Sequence, residues 1–117
     1  MSADATVPAT PEESSEMQEL HDMASHAVEL LKAMANEWRL MILCQLAEGE
    51  KTVSELQAIL GLSQSALSQH LAILRRERIV QSRKHAQSVS YSLSGEDASK
   101  VMETLHDVFC AAQGEKS

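Results

Sequence analysis

Two sets of side chains in this sequence could do chemistry: a pair of thiols, Cys44 and Cys110, and a run of hydroxyls, amides and guanidinium groups between Ser63 and Gln87. A thiolate is a nucleophile and a ligand for soft metals, and in a reducing compartment a thiol pair serves redox sensing or metal binding more readily than a permanent disulfide. Cys44 stands three residues from Met41 and four from Leu40, and Cys110 follows Phe109, so each also fits as a small buried hydrophobe. A metal centre needs about three or four ligands at helical or CxxC spacing. His21, His26, His70, His85 and His106 are scattered, and only His106, one turn before Cys110, is suggestively placed. That shortage of clustered ligands makes metal the weaker reading of the thiols without removing it, and because no nucleophile, base and oxyanion donor can be assembled, no enzyme activity, catalytic residue or cofactor is expected.

The polar run needs elements to carry it, and a helix-turn-helix layout supplies them. Thr52 and Glu55 have the spacing of a capping box, which predicts a helix from Val53 with Leu56, Ile59 and Leu60 as its apolar stripe. Gly61 stands where the chain must turn, and Ser63 can cap a second helix whose Leu67, Leu71 and Leu74 face the core. At about 100° per residue, Ser65, Gln69, Ala72 and Arg76 fall opposite those leucines, with Ser68 at the flank. With Ser63, Gln64 and His70 they form a candidate recognition surface, since hydroxyls and amides on a helix can hydrogen-bond base edges or phosphates. The competing reading is the solvated face of an ordinary helix pair.

After Arg78 the period changes. Ile79 to Arg83 and Ser88 to Leu93 read as strands, the second alternating Val89, Tyr91 and Leu93 against serines, with Lys84, His85, Ala86 and Gln87 at the tip. Such a hairpin behind a recognition helix is a wing, in which Arg83, Lys84 and Gln87 could touch phosphates or the minor groove.

A net charge of -7 looks wrong for a DNA binder, whose affinity rests on neutralising phosphates. The distribution answers the objection. From Ser63 to Tyr91 there are five basic residues (Arg75, Arg76, Arg78, Arg83, Lys84) against one acid (Glu77), or +4, while the remainder carries 5 basic and 16 acidic residues, or -11. The acidic remainder discourages indiscriminate binding.

The 117 residues suit one domain, and with one Trp, one Tyr and one Phe its core must be aliphatic and helical. Residues 1–15 are poor in large apolar side chains and read as a disordered tail, 16–112 as the folded domain, and 113–117 as a C-terminal tail. The domain opens with an amphipathic helix from Glu16 to Met34 (Leu20, Ala24, Ala27, Leu31 and Met34, widened by Met23 and Leu30). A second helix, capped by Asn36, is apolar nearly all round and ends at Gly49, with Trp38 expected to anchor the packing. A last helix from Ser94 or Gly95 to about Ala112 carries Ala98, Met102, Leu105 and Phe109 on one face, with Val101 and Val108 beside them. The fold class is therefore mainly α with a small β-hairpin: a winged helix-turn-helix of five helices plus a wing. The first and last helices cannot both bury their stripes internally, so a homodimer through them is expected, presenting two recognition helices to palindromic double-stranded operator DNA. A basic n-region with an apolar run is missing from the first residues, and no stretch approaches about 18 apolar residues, so no membrane association and a cytoplasmic location are expected.

From about Ala27 to Ala111 the sequence resembles the ArsR/SmtB family of winged-helix bacterial repressors, most visibly in LLKAMANEWRLMILCQLAEGEKTVSELQAILGLSQSALSQHLAILRRERIV. CQLAEGE and FCA are similar to the persulfide-responsive BigR/SqrR-like branch, to which HlyU-related regulators are close. That resemblance implies that Cys44 and Cys110 face each other and become bridged by a disulfide or polysulfide when persulfide or polysulfide donors act as inducers, weakening operator binding. Metal-sensing branches place a cysteine pair on the helix before the turn, which here reads SELQAIL, or an Asp, His, His and Glu or His set on the last helix. Aligned on Tyr91 and Leu93, the last-helix positions hold Gly95, Asp97, Val108 and Ala111, and two residues further on Asp97, Ser99, Cys110 and Gln113. Neither set is a metal site. The alternatives kept are a metal-responsive repressor of the ArsR type and a winged-helix anti-repressor that displaces another DNA-bound protein.

Overall fold

The computed structural model describes the backbone of residues 11–116 and the side chains of residues 14–109. The order is α1 (Pro11–Met34), α2 (Glu37–Glu48), β1 (Lys51–Thr52), α3 (Val53–Leu60), α4 (Gln64–Arg76), β2 (Val80–His85), β3 (Ser88–Leu93) and α5 (Asp97–Lys116). Five helices and the expected hairpin are there, and β1 joins the hairpin as a third antiparallel strand in the order β1-β3-β2. Helix α1 is described from Pro11 onward and so already covers the five residues before the expected Glu16. Residues 1–10 of the expected tail lie outside the described residues. Helix α5 runs on to Lys116, through most of the expected C-terminal tail.

The core is built on α2 and α4. Ile42, Leu43 and Leu46 of α2 are buried with Leu56 of α3, Leu67, Leu71 and Leu74 of α4, and Ala98 and Met102 of α5. Two caps set how α1 enters. The Asn36 side chain accepts from the Arg39 N–H at 3.0 Å, and the Arg39 Nε donates to the Ala33 carbonyl at 2.6 Å, so Arg39 ties the last turn of α1 to the first of α2. Helix α2 is not apolar-buried all round: Met41 is exposed, and so is Trp38, which leaves the packing of α1 to Ala33 and Met34 rather than to the indole.

Thr52 has two roles. Its hydroxyl accepts from the Glu55 N–H at 3.0 Å while Glu55 accepts from the Thr52 N–H at 2.7 Å, completing the capping box. The hydrogen bond from the Thr52 backbone is the main cause that holds the Glu55 carboxyl below its ordinary pKa. Thr52 also pairs with Ser90 in the sheet, so the start of α3 is fixed to the wing by the same residue. Gly61, at φ 70°, makes the left-handed turn that leads to α4.

Helix α4 ends without glycine. Arg78 N–H donates to the Arg75 carbonyl and Ile79 N–H to the Leu74 carbonyl, the paired bonds of a Schellman motif, with Ile79 buried against the same core as Leu74. Arg78 therefore takes φ 61°, a left-handed conformation that strains any side chain with a Cβ. Replacing it with glycine removes that strain at some cost in unfolded-chain entropy, so Arg78→Gly is expected to stabilise the fold by about 0.5 kcal/mol in chemical denaturation. A loss of stability would show that the arginine side chain makes contacts worth more than the strain.

Candidate nucleic-acid interface and thiol site

The leucine stripe fixes what α4 presents outward. With Leu67, Leu71 and Leu74 buried, Ser63, Gln64, Ser65, Ser68, Gln69, Ala72, Arg75 and Arg76 are all exposed. The Ser63 hydroxyl is engaged as the N-cap, accepting from the Ala66 N–H at 3.1 Å. A cleft of about 500 Å³ runs between the start of α3, α4 and the wing, and it brings together Gln64, Ser68 and Gln87 with Gln57, Val89 and Tyr91. Further along α4, Ser68, Ala72, Arg75 and Arg76 line its continuation toward Tyr91. Arg75 was not among the sequence candidates, although its position seven residues after Ser68 puts it on the same side of the helix.

The wing divides two residues that the sequence grouped. Strand β2 runs to His85 and pairs with Ser88, so the turn is Ala86 and Gln87 alone, with Lys84 and His85 inside the strand. Lys84 pairs with Val89 and Ser82 with Tyr91, the residues that face the cleft. Arg83 pairs with Ser90 and so lies on the opposite face, where its Nη2 meets the Glu50 carboxylate at 2.7 Å. Strand alternation thus puts Lys84 on the cleft side and Arg83 on the other, so the two wing cations expected to touch phosphates do not share a face.

His70 also departs from the candidate surface. It is half-buried on the inner flank of α4, and its Nδ1 is enclosed with no hydrogen-bond partner. Burial first, then the nearby Arg39 guanidinium, hold its pKa below the ordinary histidine value. This partial burial sets it apart from the exposed serines, glutamines and arginines of α4.

Cys44 is exposed on α2, which overturns the reading as a buried hydrophobe. Cys110 falls on α5, which packs against α2, but its side chain lies outside the described residues. The His106 Nδ1 is 4.0 Å from its neighbour Asp107, and both side chains are exposed. Among the described residues no three His, Cys, Asp or Glu side chains gather as a metal site, and no helix is long and apolar enough to cross a membrane.

A recognition helix set on a helix-turn-helix, with a three-stranded wing beside it, defines a DNA-binding transcription regulator rather than an enzyme. Comparison with known proteins makes the class specific. Residues 36–82 match the bacterial regulatory protein arsR family, and this chain belongs to that family. It is 53% identical over 96 residues to the transcriptional activator HlyU of Vibrio cholerae, an alignment covering 82% of this chain and 89% of that protein. The structure of reduced HlyU from Vibrio cholerae superposes with a TM-score of 0.77 at 54% identity, covering 80% of this chain and 98% of that one. The transcriptional repressor BigR from Xylella fastidiosa superposes at 0.73 and 34% identity, covering 80% and 96%.

Two outcomes follow from this geometry. Lys84→Gln is expected to weaken duplex DNA binding and to reduce the slope of log K against log salt by about 0.9, the signature of one lost phosphate contact; an unchanged slope would remove Lys84 from the interface. Because folding depresses the pKa of His70, the stability contributed by its neutral form is fully present above the unfolded value of 6.5 and declines as pH falls below it. His70→Gln should flatten thermal stability just below that pH; a profile identical to the parent's would place the titration elsewhere.

Proposed function

We propose that the chain is a homodimeric, sequence-specific repressor of a palindromic operator, and that reactive sulfur such as a persulfide releases it by bridging Cys44 and Cys110. The observation that carries the DNA reading is the row of Ser65, Ser68, Gln69 and Arg76 on α4, exposed above buried leucines and flanked by Lys84 and Gln87 on the inner side of the wing. Such a regulator works where the chromosome is, in the cytoplasm.

Dimerisation is supported by apolar surface that a single copy leaves in water. Leu20 and Leu31 of α1 are 52% and 54% exposed, and Val108 and Phe109 of α5 are 56% and 63% exposed. Patches of this kind mark association surfaces, and a two-fold dimer through α1 and α5 places two copies of α4 on one side.

The sulfur reading is supported by the exposure of Cys44 and by the packing of α2 against α5. The Cys44 thiolate attacks the sulfane sulfur of a persulfide RSSH, giving Cys44–SSH and RSH. Attack of the Cys110 thiolate on the Cys44 sulfur of that group then gives the disulfide and H2S. Alternatively a second RSSH supplies the oxidising equivalent: Cys44–SSH, RSSH and the Cys110 thiol yield a trisulfide, RSH and H2S. A bridge ties α5 to α2 and so biases how the two α4 helices are spaced. A differential stability of about 1.4 kcal/mol between bridged and reduced states suffices for a tenfold change in DNA affinity.

A second reading is favoured by the name of the HlyU relative, which is called an activator, whereas BigR is called a repressor. The chain would then bind DNA to displace another protein. With purified polymerase and promoter alone, a repressor lowers transcription and a displacing protein leaves it unchanged.

Cys44→Ser and Cys110→Ser are each expected to retain DNA binding and to lose the response to a persulfide donor, while the parent shows a mass shift for a bridge and roughly tenfold weaker binding. Retained release in both variants would exclude the sulfur mechanism.

A further inference from the structure

We propose that Glu50 is a specificity-determining residue that withholds Arg83 from DNA by latching its guanidinium onto the outer face of the wing. The inference rests on the DNA-binding reading above. Its physical basis is the 2.7 Å contact of Arg83 Nη2 with Glu50 Oε1, which joins two residues 33 apart in sequence.

The sheet explains how the contact forms. In the order β1-β3-β2, Arg83 is on one outer strand, and Glu50 immediately precedes the other. To reach Glu50 the guanidinium must cross β3. On that face β3 presents Ser90 and Ser92, which are short enough to leave room for an extended arginine, and Glu50, Gln81, Ser82, Arg83 and Ser92 line one shallow depression there. Gln81 adds a hydrogen bond to Ser92 at 3.4 Å on the same face. The arginine is thereby folded inward across the sheet, away from the free edge of β2.

That direction matters because β2 is an edge strand with nothing beyond it in the sheet. A long cationic side chain released at that edge can turn outward to a neighbouring phosphate, whatever the base sequence. The latch offers Arg83 a carboxylate in place of that phosphate. It cancels one of the five basic charges between Ser63 and Tyr91 and leaves the wing's contribution to Lys84 and Gln87 on the cleft side. Sequence-independent affinity falls, and a larger share of binding must come from α4. The acidic remainder of the chain repels DNA at long range; Glu50 acts at one named cation.

The test is the salt dependence of binding to a labelled duplex of random sequence by the full chain, its Glu50→Gln and Arg83→Gln variants and the double variant. Glu50→Gln is expected to bind several-fold more tightly, with a slope of log K against log salt steeper by about 0.9, because one more phosphate is neutralised. Arg83→Gln alone is expected to leave the slope of the parent unchanged, and in the Glu50→Gln background to return the slope to it. Thermal melts of all four proteins check that the wing stays folded; if Glu50→Gln is unstable, Glu50→Ala with and without Arg83→Gln gives the same comparison. A shallower slope for Arg83→Gln alone would overturn the latch, since Arg83 would then already be on DNA. An equal gain from Glu50→Gln with and without Arg83 would also overturn it, reducing Glu50 to a general repulsive charge. Failure of the unmodified chain to bind any duplex would instead overturn the DNA-binding reading, and the latch with it.

Discussion

The packing of α4 on α2 is the constraint on which the rest of the structure depends. Ile42, Leu43, Leu67 and Leu74 are completely excluded from solvent, so α4 can neither roll nor slide without opening a cavity in the core. Because the inner side of α4 is spent on leucines, its outer side is fixed as serines, glutamines and arginines. The same burial forces the C-terminal turn of α4 to close through Arg78 and Ile79, which sends the chain directly into β2. Recognition helix and wing are two consequences of one buried stripe.

Helix α2 is also where control can enter. Leu43 holds α4 from the core side, and the next residue, Cys44, is exposed. Arg39 on the same helix holds the end of α1 and bears electrostatically on His70 of α4. A covalent change at Cys44 therefore acts on an element that already touches α1, α4 and α5. Coupling of the proposed thiol chemistry to DNA needs no long pathway, only a shift in how α5 and α1 meet across two copies while the α2–α4 block stays rigid.

Much of this was legible in the sequence because it is local. The capping box of Thr52 and Glu55, the turn at Gly61, the caps at Asn36 and Ser63 and the leucine period of α4 each depend on residues within a few positions of one another. The unread parts depend on distant pairing. Strand β1 is two residues long and exists only because Lys51 and Thr52 find Tyr91 and Ser90 on β3. The face on which Arg83 lies follows from the hairpin register, and moving the turn from four residues to Ala86 and Gln87 decides which neighbours share a side. The surroundings of His70 are hidden from the sequence for a different reason: its angular position lies beside the leucine stripe, and only the fold shows its Nδ1 enclosed and Arg39 nearby. The sequence resemblance led to the family, and it alone supplied the expectation that Cys44 and Cys110, 66 positions apart, face each other.

The central claim is that two copies of a rigid α2–α4 block present their recognition helices at a spacing set by the sulfur state of the cysteines. The most direct measurement is the distance between the two copies of α4 in the dimer, taken by pulsed electron resonance with a label introduced at the exposed Ala72 through a non-cysteine chemistry, before and after treatment with a persulfide donor. The account requires a reduced separation near one turn of DNA, about 34 Å, and a different separation or a broadened distribution once the bridge forms. A separation that stays the same while DNA binding is lost would contradict it, and would place control in the DNA contacts themselves.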